Sequence, residues 1–206
     1  MQDYYFDFPQ HGIILIAPPY CATSQLLDVF CVLLSEADEH LDPKDRWAKH
    51  AISKKDVLAL RGTRLVLGIV RNPWAWVFAR FKADDVTLPT EAAEGPDFAK
   101  FVVRLDGTGS NLSQADILLS DEDGLLPDFL LHYERLQSEF VMLSALIKAK
   151  SGVTLGPLPQ LDQEDHVAAG ELYTRTERRL VRKLYNREIV YFGYHFPFAV
   201  ELPLHR

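Results

Sequence analysis

Two apolar runs in the chain end on residues able to hold an anion. Gly12 to Ala17 is followed by Pro18-Pro19-Tyr20-Cys21-Ala22-Thr23-Ser24. If the run is a strand and Thr23 or Ser24 opens a helix, the loop presents main-chain N–H groups at the positive end of a helix dipole. The two hydroxyls add donors, and a phosphate or sulfate suits such a place. An ordinary strand-to-helix turn with a hydroxyl cap has the same sequence. No Gly-Lys-Ser/Thr pattern is present, and the two prolines carry no N–H. The second run, Arg64 to Val70, leads into Arg71-Asn72-Pro73-Trp74. An Arg at the tip of a buried strand must pair with an acid or bind an anion, and its planar fork fits a phosphate. A third feature lies late in the chain, where Arg175, Arg178, Arg179, Arg182 and Lys183 give one helix a basic face. Glu177 and Glu188 stand close enough in sequence to balance it, as on a solvated surface.

The elements that must position these residues follow from hydrophobic periodicity. Gly12 to Ala17 and Arg64 to Val70 are short, almost wholly apolar runs, which predict buried strands of the parallel kind, with Ile13 to Ile16 and Leu65 to Val70 as adjacent or near-adjacent inner strands. A helix follows the first run through Leu26, Leu27, Phe30, Leu33 and Leu34. Lys49 to Leu60 predicts a short polar helix with Ser53 as a cap. Pro73 suits the first turn of a helix over Trp74 to Lys82, with Trp74, Val77, Phe78 and Phe81 on its apolar face. Asp84 to Pro96 predicts an exposed acidic loop, and Asp97 to Leu105 a further helix. Gly107 to Ser113 predicts a polar loop. Asp128 to Tyr133 predicts a third strand, followed by a helix from Glu134 to Lys150 that stops near Gly152. Leu155 to His166 is irregular. Thr174 to Val190 predicts one long basic helix, and Tyr191 to Phe198 an aromatic tail folded back on the core. Strands alternating with helices place the chain in the α/β class, as a parallel sheet flanked by helices in three layers.

Composition narrows the function classes. A chain of 206 residues with 48% hydrophobic and 25% charged residues fits one globular domain spanning 1–206. The formal net charge of −7 argues against a nucleic-acid partner, although a local site in an acidic protein can still attract anions. Two cysteines, Cys21 and Cys31, are too few for a disulfide framework. The aromatic, acidic N-terminus has no signal-peptide pattern, and no stretch has the length of a membrane span, so the expected location is cytoplasmic.

Five segments, in order, resemble the sulfotransferase superfamily, in its carbohydrate and bacterial branch. IAPPYCATS stands where that family has its 5′-phosphosulfate loop. KHAISKKDV is similar to the stretch before the next strand. LVLGIVRNPWAWVFARF resembles the 3′-phosphate motif, DEDGLLPDFLLHYERLQSEF a later strand and helix, and YTRTERRLVRKLYNREIVYFGYHF the C-terminal helix ending in Phe-Gly-Tyr. The resemblance implies a P-loop NTPase-like fold and transfer of a sulfuryl group from 3′-phosphoadenosine 5′-phosphosulfate (PAPS) to a hydroxyl or amine on a small-molecule or carbohydrate acceptor, without a metal. It implies cofactor contacts from Tyr20, Cys21, Ala22, Thr23, Ser24, Arg71 and Arg175. It offers His50 and His166 as candidate bases, while His50 also reads as a surface residue of a polar helix and His166 as a loop residue. Trp74 and Trp76 could stack on an adenine, though the spacing of Trp74 predicts a core residue.

Two departures bear on chemistry. The family loop reads Pro-Lys-x-Gly-(Gly/Ser)-Thr-Ser, so its lysine is Pro19 here and its glycines are Cys21 and Ala22. The serine eight residues after the motif arginine is Ala79. Lys49 and Arg175 are the nearest substitutes for the missing cation. The departures leave open a slow enzyme or a non-catalytic module that binds PAPS, its desulfated product PAP, or another anion. A P-loop kinase is disfavoured by the missing Gly-Lys-Ser/Thr and the lack of an acidic metal ligand after a strand.

Overall fold

A computed structural model describes residues 4–30, 33, 43–85, 97–107, 112–122, 124–161 and 171–196. Along the chain run β1 (Tyr5–Phe8), β2 (Ile13–Ile16), α1 (Thr23–Phe30), α2 (Pro43–Ala48), α3 (Lys54–Leu60), β3 (Leu65–Val70), α4 (Pro73–Asp85), α5 (Phe98–Gly107), α6 (Gln114–Leu118), β4 (Phe129–His132), α7 (Leu136–Ser151), α8 (Arg175–Leu184) and α9 (Asn186–Tyr191). The protein is α/β, with a four-stranded sheet in the order β1-β2-β3-β4 accompanied by helices. The chain divides into two compact units. One comprises Met1–Val70 with Gln114–Leu161, the other Arg71–Ser113 with Asp162–Arg206.

The first unit holds the sheet. β2 and β3 are parallel, with Ile13 opposite Leu65 and Ile16 opposite Gly68, and β3 and β4 are parallel from Leu67–Phe129 to Val70–His132. The two apolar runs are therefore adjacent inner strands, and every residue of Ile13–Ile16 is buried. The expectation of a wholly parallel sheet is corrected by β1, which pairs antiparallel with β2 from Tyr5–Ile16 to Phe8–Ile13. The cause is local. Only Pro9 to Gly12 separate the two strands, and the turn is closed by N–H bonds from His11 to Phe8 O and from Gly12 to Pro9 O. A parallel pair needs a crossover of about a dozen residues. The outer edge of β1 is met by a short extended piece, in which Phe6 bridges to Ala51, Asp7 N–H donates to His50 O, and Ile52 N–H donates to Tyr5 O.

Gly68, in the middle of β3, permits a close approach. A Cβ there would lie 2.4 Å from Pro127 Cγ and 3.0 Å from Leu118 Cδ2, so the absence of a side chain lets α6 and the lead-in to β4 settle onto the sheet. Asp128 fixes the register of β4 twice, donating its N–H to Val66 O and accepting Val66 N–H on its carboxylate. α7 packs against β4 and ends at Gly152 in a left-handed conformation. Ser53 caps α3 through a reciprocal box with Asp56, so this helix starts at Lys54 and not at Lys49.

The second unit is helical and aromatic. Asn72 opens α4, accepting Trp74 N–H on Oδ1 and Trp76 N–H on its main-chain oxygen. Phe98 of α5 meets Phe78 and Phe81 of α4 and stands edge-on to Tyr173 at 4.8 Å. α8 packs against α5 and α4. The single helix expected over Thr174 to Val190 is broken at Tyr185, whose ψ of 30° departs from the helical value. Its ring is fully buried and edge-on to Trp76 at 5.5 Å. Thr174 caps α8 in a second reciprocal box, with Glu177. The expected loops at 86–96 and 108–111, and residues 162–166 of the irregular stretch, lie outside the described residues.

Candidate functional sites

Tyr20, Cys21, Ala22, Thr23 and Ser24 belong to the first unit. β2 ends at Ile16, Pro18 is buried, and the chain turns through Pro19 and Tyr20 into α1. Tyr20 (φ 62°) and Ala22 (φ 55°) both adopt the left-handed conformation. For a residue with a Cβ this conformation costs about 1–2 kcal/mol, and glycine is its usual occupant. Cys21 between them turns inward, buried, with its thiol 3.2 Å from Gln114 Oε1. The cap differs from the expected one. Thr23 Oγ1 donates back to Pro18 O at 2.6 Å and so ties the loop shut, while Ala22 O accepts the first helical bond from Leu26 N–H. Ser24 is exposed, and its hydroxyl donates to Gln25 Oε1. The amides of Thr23, Ser24 and Gln25 form the first turn of an eight-residue helix, where the backbone offers donors and partial positive charge.

His50 is half-buried in the same unit. Its ring stacks on Phe8 with centroids 5.6 Å apart, and its Nδ1 lies 3.1 Å from Asp7 O, so the ring donates there. Asp7 pairs with Ile14, which places His50 near the amino end of β2, about 10 Å along the strand from Ala17. The structure thus gives this histidine a packing role at the end of β2 away from the loop. His166 lies outside the described residues.

Arg71 opens the second unit and is buried, 3% exposed. Its neighbour Asn72, besides starting α4, donates from Nδ2 to His195 O at 2.8 Å, which pins the aromatic tail. Tyr173 Oη donates to Trp74 O, and Trp74 Nε1 donates to Arg178 O. Phe196 returns edge-on to Trp74 and Tyr173, at 5.6 Å from each. Of the expected aromatic tail, Phe196 packs back on these rings, Tyr191 is the exposed last residue of α9, and residues 197 and 198 lie outside the described residues; Trp74 and Trp76 are buried core residues.

This framework walls a cavity of about 800 Å³ in the second unit, lined by Arg175, Arg178, Arg179 and Arg182 together with Tyr194 and Phe196. The four arginines sit at helical positions i, i+3, i+4 and i+7, a single face of α8. Arg178 is oriented by its Nε bond to Tyr173 O and by Phe196, whose ring centre lies 4.1 Å from the guanidinium carbon. Arg175, Arg179 and Arg182 are exposed and make no ion pair among the described residues. The two glutamates close in sequence do not balance them. Glu177 is buried in the capping box of Thr174, and Glu188 is buried with Ser113 donating to it at 2.5 Å. Lys183 points elsewhere, to Asp106. Among the described residues no group of three or more His, Cys, Asp or Glu side chains gathers to hold a metal ion, and no helix is long and apolar enough to cross a membrane.

No protein-family model matches the chain, and no curated protein and no solved structure matches it. The class that the geometry itself defines is an α/β protein built on a mixed, mostly parallel sheet.

Proposed function

We propose that the chain is a sulfotransferase-like protein on a P-loop NTPase-like fold, which holds the 5′ end of PAPS or PAP on the loop from Pro18 to Ser24. The reading rests on motif order in the sequence and on one feature of the loop. The backbone takes left-handed turns at Tyr20 and Ala22 although neither residue is a glycine. Ala22 stands where the resembled family has a glycine or a serine, and the course that a glycine would favour is taken here at a conformational cost. Backbone strain of this kind is characteristic of ligand-holding segments. The loop also leaves the carboxyl end of an inner parallel strand, the place where ligands bind in open α/β sheets.

In the transfer step an acceptor hydroxyl or amine attacks the sulfur, the bond from sulfur to the 5′-phosphate oxygen breaks, and the acceptor loses its proton to a base. The first-turn amides of α1 would stabilise the charge left on the phosphate. Pro19, at the family's lysine position, supplies neither charge nor an N–H, and Ala79 supplies no hydroxyl. These two residues favour a second reading, in which nucleotide binding persists with little or no turnover.

Calorimetry with PAP tests the binding claim. Ser24→Glu places a carboxylate in the first turn of α1 and is expected to weaken PAP binding at least tenfold. Unchanged affinity removes the loop from the site. Turnover separates the two readings. If Pro19→Lys raises the rate of PAPS consumption with hydroxyl acceptors, the chain is an enzyme with an impaired loop. Rapid turnover by the unaltered protein would refute the impairment.

A further inference from the structure

We infer that the arginine-walled cavity of the second unit binds a small molecule bearing two or more phosphate or sulfate groups, independently of the loop at Pro18 to Ser24. Three observations carry this. First, four arginines of one helix face converge on one cavity of about 800 Å³, within the range of small-molecule sites. Second, the two acids closest in sequence to that face are engaged with other groups, Glu177 with Thr174 and Glu188 with Ser113. Among the described residues Arg175, Arg179 and Arg182 make no ion pair, in a chain whose net charge is −7. Third, one arginine of the wall is preorganised. Arg178 is held by Tyr173 O and Phe196, and the tail that carries Phe196 is held by Asn72 through His195 O.

The spacing selects the ligand. Successive arginines rise along α8 by about 1.5 Å per residue, so Arg175 and Arg182 are separated by roughly 10 Å along the axis, with Arg178 and Arg179 between. A single phosphate can engage only one part of that ladder. Two anionic groups about 6–10 Å apart engage both ends, and guanidinium forks bind phosphate and sulfate oxygens in pairs. Like charges at i,i+4 disfavour the unliganded helix slightly, so a polyanion also relieves repulsion between Arg175 and Arg179 and between Arg178 and Arg182.

The probes are inorganic phosphate, fructose 1,6-bisphosphate and a trisulfated heparin disaccharide, titrated calorimetrically at 0.15 M salt. At least one of the two multivalent probes is expected to bind ten or more times tighter than inorganic phosphate. Preference for the bisphosphate marks a phosphorylated ligand, and preference for the disaccharide a sulfated one. The combined variant Arg175→Gln, Arg179→Gln, Arg182→Gln is expected to lose tenfold or more of that affinity, since partly exposed charge contacts contribute a few-fold each. Gln keeps helix propensity, and these side chains make no internal bonds among the described residues, so the variant is expected to fold. Should it not, Arg179→Gln and Arg182→Gln singly are each expected to cost two- to fivefold. Ser24→Glu is expected to leave binding of fructose 1,6-bisphosphate and of the disaccharide unchanged. Multivalent probes no tighter than phosphate, or arginine variants that bind like the unaltered protein, would overturn the inference. A loss through Ser24→Glu equal to that of the arginine variants would also overturn its independence.

Discussion

The two units solve the problem of holding an anion with different parts of the polypeptide. In the first, the donors are main-chain amides at the start of α1, and what shapes them is backbone conformation at Tyr20 and Ala22. In the second, the donors are side chains on α8, and what shapes them is a cage of rings and carbonyls around Arg178. The cores differ in the same sense. The inner strands β2 and β3 are themselves aliphatic, with rings joining them from Phe8, Phe30 and Trp47, whereas α4 and α5 meet through rings, Phe98 on Phe78 and Phe81. A site made of backbone is hard to alter by substitution and is read through conformation. A site made of side chains is altered one charge at a time.

The difference can be attacked first at Gly68. Gly68→Ala is expected to destabilise the protein by about 3 kcal/mol, because the new methyl meets the stiff ring of Pro127 at 2.4 Å with no free space beside it. Urea denaturation measures this, and a loss below 1 kcal/mol would mean that α6 is not seated on β3 as described.

The buried tyrosines sharpen the contrast next. Tyr5 of the first unit is pushed up to about 12, chiefly by burial and then by Tyr4 and Asp116, while its hydroxyl donates to Ile117 O at 3.1 Å. Tyr185 of the second unit is also pushed up to about 12, chiefly by burial, with Arg80 pulling down and Glu188 pushing up. Both are neutral in the folded state at pH 11, where the unfolded chain, titrating near 10, has released those protons. Stability is therefore complete below about pH 10 and falls as pH rises towards 12, by up to about 2 kcal/mol per group. Tyr185→Phe is expected to flatten part of that alkaline limb with little change at pH 7. Tyr5→Phe flattens it too, but costs about 1 kcal/mol at neutral pH because Ile117 O loses its donor. Unfolding curves between pH 7 and 12 that match the unaltered protein would contradict both.

The smallest effect is expected at Gly193. It takes φ 67° after α9, and Tyr194 N–H closes back on Ile189 O, a helix stop that turns the chain toward Phe196. A Cβ there meets nothing within 4 Å, so Gly193→Ala costs only the conformational term, about 1 kcal/mol. Gly193→Asn should cost less. A loss as large as that of Gly68→Ala would show that the two glycines do not differ in kind.

The legible parts of the chain share one property, that the determining interactions are local or periodic. Ile13–Ile16 and Leu65–Val70 could be read because strands buried on both faces need unbroken apolar sequence. Ser53 could be read as a cap, and Arg175, Arg178, Arg179 and Arg182 as one helix face. β1 was hidden because four residues, Tyr-Phe-Asp-Phe, carry too short a pattern to distinguish a strand from an aromatic tail. α2 and α6, of six and five residues, are shorter than a helix that stands by periodicity alone. The break at Tyr185 was hidden because the apolar period runs through it unchanged. The charge of the arginine face was misjudged for a different reason. Sequence proximity suggested that Glu177 and Glu188 screen it, but a capping box and a half-buried serine, Ser113, draw both carboxylates away. The direction in which a side chain points is settled by partners distant in sequence.

The short piece at His50 to Ile52 has a consequence for the life of the protein in a crowded solution. β1 is one of the two outer strands, and its row of main-chain donors and acceptors would otherwise be a template on which a foreign strand could grow. Asp7 N–H and Tyr5 O are taken by His50 and Ile52, and the stack of His50 on Phe8 holds that cover in place. On this edge, pairing with a foreign strand therefore needs the lifting of only three residues, and the sheet itself can stay intact.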